Sequence, residues 1–118
     1  MNIKDWLNRG YHLDEEIRAI QAARDRTSEQ ACGTTANYMR ELDARLSKLL
    51  KTEHEIQDVI NRVEDATLRT LLIERYINYK TWDQIAACLW YDVRHIYRLH
   101  ARALKAAASY VPLEEIED

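Results

Sequence analysis

The sequence predicts an all-α protein, and three observations carry that prediction. The chain of 118 residues holds two glycines and one proline, so it has few points at which a helix must stop. Ala, Leu, Arg and Glu, all good helix formers, are abundant, and no segment shows the Val/Ile/Thr alternation of a half-buried strand. Apolar residues recur at helical spacing instead. A chain of this length forms one compact domain, or a small domain with a helical extension, and buries roughly 65% of its unfolded surface.

The first predicted helix covers about residues 12 to 31. Leu13, Ile17 and Ile20 share one face, with only Ala23 and Arg24 where that face should continue. Asp14, Glu15 and Glu16 fall in its first turn, where they complement the helix dipole. Gly33, Thr34 and Thr35 supply a stop followed by caps. A second helix over residues 36 to 63, roughly 42 Å long, carries Leu42, Leu49, Ile56 and Val63 at heptad spacing. Leu46, Val59 and Ile60 lie beside them. Arg45, Thr52 and Glu53 interrupt this seam, which suits either packing within the chain or pairing with a second copy. The thin second half of the preceding helix leaves the seam under-covered, and a homodimer through residues 36 to 63 is the resulting expectation.

Asp65 is placed to cap a third helix running to about Tyr79, with Leu68, Leu71, Leu72 and Tyr76 facing inward. Thr81 and Gln84 then form a capping box. Trp82, Ile85, Ala86 and Leu89 follow at i, i+3, i+4 and i+7, one apolar face of a short fourth helix. The pattern breaks at Trp90 and Tyr91, and Asp92 caps a fifth helix starting at Val93. On that helix Arg94, Arg98, Arg102 and Lys105 share one narrow face, while Val93, Ile96, Leu99, Ala103, Leu104 and Ala107 lie opposite. Two short helices with a tight turn and a basic stripe on the second have the layout of a DNA-reading helix-turn-helix. Its core is expected from Trp82, Ile85, Ala86, Leu89, Ile96 and Leu99. Arg94, His95, Tyr97 and Arg98, near the helix start, are the expected base contacts; Arg102 and Lys105, with Lys80, are the expected phosphate contacts.

The run Thr81-Trp82-Asp83-Gln84-Ile85-Ala86, the turn, and Arg102-Ala103-Leu104 resemble the DNA-binding region four of bacterial sigma factors. Asp65 through Tyr76 resembles the supporting helix that precedes that motif. The likeness covers about residues 64 to 108, with Trp90 where the family's turn usually has glycine and Asp92 where it has a serine cap. The whole layout resembles short phage and prophage regulators of the ArpU/RinA type of late-gene activators. The resemblance implies a transcriptional regulator rather than an enzyme, with double-stranded DNA and RNA polymerase as partners. Two other classes stay open: a DNA-packaging component resembling a small terminase subunit, and a sigma-like interaction module that no longer reads DNA.

Charge is distributed to match. The net charge is −3, but residues 1 to 64 hold 10 basic against 12 acidic residues, residues 65 to 110 hold 7 against 4, and residues 111 to 118 hold none against 4. The positive excess sits on the expected DNA-binding unit and the acid on the tail. The expected organisation is a helical hairpin over residues 1 to 63, a three-helix unit over 64 to 111 and an acidic tail over 112 to 118. Cys32 and Cys88 belong to no CxxC pair and are expected as free thiols, and no spacing resembles a metal or cofactor motif. No apolar run approaches a membrane span and the first ten residues are too polar for a signal peptide, so a cytoplasmic protein is expected.

Overall fold

The structure, a computed structural model, describes residues 1–11, 13–28, 35–112 and 114–115. It is all-helical, with no strand among the described residues. The helices are α1 (Ile3–Leu7), α2 (Leu13–Ser28), α3 (Thr35–Arg62), α4 (Ala66–Leu72), α5 (Trp82–Leu89) and α6 (Val93–Ala108). None of them is long and apolar enough to cross a membrane. The Gly33-Thr34-Thr35 stop, Cys32 and the tail residues Leu113 and 116 to 118 fall wholly or partly outside the described residues.

The chain divides into two compact units, residues 12 to 54 and residues 1 to 11 with 55 to 118. This division does not coincide with the expected boundary between residues 63 and 64. The difference has a packing cause. Ile56, Val59 and Ile60, on the last turns of α3, and Val63 just after it are at most 5% exposed and belong to the same core as Leu71, Leu72, Ile85 and Ile96. Trp6 and Leu7 of α1 complete that core. In the smaller unit Leu46 and Leu49 of α3 bury against Ile17, with Leu13 and Ile20 of α2 beside them. Arg45 to Glu16 and Arg24 to Asp43, both 2.8 Å, tie the same two helices.

Most of the expected seam is covered by packing within the chain. Leu49, Ile56 and Val63 are buried within one chain, and only Leu42 is left half-buried. Heptad spacing correctly marks an apolar face of α3; the cover comes from α2 for its middle and from α1 and the C-terminal helices for its end.

Each helix of the larger unit starts on a side-chain cap. Asn2 accepts from the backbone N–H of Asp5 at 2.8 Å and opens α1, which no periodic run announces. Asp65 accepts from Thr67 and Leu68, Thr81 and Gln84 form a reciprocal box, and Asp92 accepts from Arg94 at 3.0 Å. After Leu72 the helix widens into one π turn, Ile73–Ile77, in which Asn78 N–H donates to the Ile73 carbonyl at 3.0 Å. The tail is partly engaged: beyond the buried Val111, Glu115 accepts from the Trp6 indole N–H at 3.2 Å.

Candidate nucleic-acid interface

Helix α5, the turn and α6 assemble as their caps and periodicity require. Ile85, Ala86, Ile96 and Leu99 are buried, and Trp82 and Leu89 pack half-buried against them. Trp82 is held on several sides. The Arg75 guanidinium lies 4.3 Å over its ring, and His100 and Tyr97 meet it edge-on at 4.5 and 5.5 Å. Arg75 keeps its place by donating to the Lys80 carbonyl at 2.9 Å.

The turn uses a positive φ although no glycine stands in it. Trp90 itself adopts the left-handed conformation, φ 59° and ψ 37°, and the N–H of Tyr91 reaches the Ala86 carbonyl at 3.1 Å. A side chain in this region crowds the backbone and costs about 1–2 kcal/mol relative to the right-handed form, which is why glycine is the usual residue there.

On α6 the four cations Arg94, Arg98, Arg102 and Lys105 are all exposed, and the helix carries no carboxylate. None of the four is ion-paired among the described residues. Arginines elsewhere behave differently: Arg9, Arg18, Arg24, Arg45 and Arg62 each meet an acid. Arg69 and Arg75 donate to backbone carbonyls. Stability alone would arrange α6 otherwise. Arg94 in the first turn opposes the helix dipole, and the i,i+4 pairs Arg94/Arg98 and Arg98/Arg102 repel by about 0.2–0.5 kcal/mol each. The face extends about 16 Å from Arg94 to Lys105, enough to run from a groove to its phosphate border.

Of the remaining expected contacts, Tyr97 is exposed and lies against Trp82, and His95 is half-buried with its ring edge-on to Tyr91 at 4.8 Å. Lys80 differs from the others. Its ammonium is paired with Glu74, which draws the Glu74 carboxyl below its usual range and raises the lysine, so its charge is already met inside the unit. Cys88 is a free, exposed thiol 3.6 Å from that ammonium.

A buried polar pair behind α6 is not legible in the sequence. The Tyr76 hydroxyl and His100 Nε2 are joined at 2.7 Å, with His100 8% exposed and the two rings stacked. Burial, then the charges of Lys4 and Arg75, push His100 down to about 4, while burial holds Tyr76 up at about 12. The folded state therefore resists protonating His100, whereas the unfolded chain takes up the proton near pH 6.5. Stability is expected to fall as pH drops from about 6.5 to 4, by on the order of 3 kcal/mol from this group, and to level off below. Denaturant melts of the parent and His100→Leu across that range check it: the variant should lack this portion of the slope, and equal slopes would refute the assignment.

Compared with protein-family models, curated proteins and solved structures, the chain matches none.

Proposed function

We propose that the chain is a DNA-binding transcription regulator of phage or prophage type, with α5 and α6 acting as a helix-turn-helix and α6 entering the major groove. The observation that supports this reading most is the unpaired four-cation face on α6, in an otherwise acidic chain whose other arginines are largely partnered. A polyanion meets all four charges at once, and no group among the described residues does. Arg94 and Arg98 take base edges, Arg102 and Lys105 take phosphates, and the aromatic Tyr97 flanks them. The likeness of residues 64 to 108 to sigma region four supports promoter DNA as the target and RNA polymerase as a further partner.

Selection from a pool of random duplexes at low salt tests the proposal. An enriched motif is expected in the bound fraction. A bound fraction with the composition of the input would remove sequence reading and leave only attraction to polyanions.

A further inference from the structure

Trp90 combines two features that folding disfavours. It is 92% exposed, whereas Trp6 is buried and Trp82 is half-buried, and it holds a left-handed backbone conformation that glycine would adopt without strain. The left-handed backbone ends α5, a task glycine would perform without strain, and the ring adds nothing to the fold, because a side chain so exposed buries almost no surface. Both occur two residues before the cap of α6. Tyr91, 41% exposed, adjoins it, and the unpaired Arg94 and Arg98 follow on the next turns. The one acid between them, Asp92, is engaged as the cap.

The neighbourhood decides what the indole meets. An apolar protein pocket closing over Trp90 would strip water from adjacent guanidiniums without replacing their hydrogen bonds, which is costly. A nucleic acid satisfies those guanidiniums with base-edge acceptors, and the cations beyond them with phosphates, and brings flat aromatic faces alongside. In an intact duplex each base face is already covered by its neighbours. A ring open on both sides gains most where a base face is bare, at an unpaired or extruded nucleotide.

We infer that Trp90 is a base-stacking residue, and that the chain binds DNA carrying an unpaired base beside the α6 footprint more tightly than fully paired DNA. This rests on the DNA-binding reading of α6. The step is non-covalent: the indole stacks on a base and no bond is made or broken.

The test is fluorescence anisotropy of the full chain with two labelled probes of about 20 base pairs, one fully paired and one with a central unpaired bubble. The parent is expected to bind the bubble probe ~10-fold more tightly, the size of one stacked base. Trp90→Gly should bring the two affinities to within about twofold of each other and, with its backbone strain relieved, melt no lower than the parent. Arg98→Ala/Arg102→Ala should weaken both probes by a similar factor and keep their ratio. Equal binding of both probes by the parent, with salt-sensitive affinity intact, overturns the stacking role and leaves the DNA reading standing. Binding of neither probe overturns both. A preference for the bubble that survives Trp90→Gly also overturns it.

Discussion

Trp6→Ala is expected to destabilise the larger unit by about 3–5 kcal/mol, the usual cost of truncating a buried tryptophan. The side chain is 2% exposed and sits in the same core as Val63, Leu71 and Ala103. The Arg9 guanidinium lies 4.3 Å over its ring, and its indole N–H donates to Glu115. Removing the ring opens a cavity and frees three parts of the chain together. The melting temperature should fall by roughly 10 °C or more. A melt within two or three degrees of the parent's would mean that the first eleven residues do not belong to the fold as described.

The second large effect concerns α6. Arg94→Ala/Arg98→Ala is expected to relax sequence preference, at ~1–3 kcal/mol of discrimination for each bidentate arginine–guanine pair removed. Arg102→Ala/Lys105→Ala should weaken all sites alike. All four side chains are exposed, so neither variant should lose more than about 0.5 kcal/mol of stability. Competition binding against a selected site and a scrambled one separates the two behaviours. Unchanged selectivity in the Arg94/Arg98 variant would take base reading away from these residues.

The C-terminal helices are legible in the sequence because cap and periodicity agree there: Asp65, Thr81 with Gln84, and Asp92 each stand directly before an apolar pattern, and each accepts the backbone N–H bonds their positions require. Helix α1 is not, since five residues give no full repeat. Asn2 followed by Ile3, Trp6 and Leu7 at i, i+3 and i+4 is the one signal it offers. Periodicity also names an apolar face without naming its cover. For that reason the α3 seam suits a second copy as well as it suits its own chain, and only the fold shows Ile56 and Val63 in one core with α1 and the C-terminal helices. The pairs that cross turns are beyond reach for a different reason. Glu74 with Lys80 and Tyr76 with His100 have no helical spacing, and the π turn that positions Glu74 and Tyr76 leaves no mark in composition. The α6 face is legible as a stripe; that its charges stay unpaired among the described residues is a property of the fold alone.

The central claim is that this unpaired face binds DNA, and a salt titration of affinity tests it most directly. With the two phosphates taken by Arg102 and Lys105 neutralised, the logarithm of the binding constant should fall against the logarithm of salt concentration with a slope of about −1.8, and Arg102→Ala/Lys105→Ala should remove most of that slope. Absence of binding at about 50 mM salt, or a slope that the variant leaves unchanged, would contradict the account.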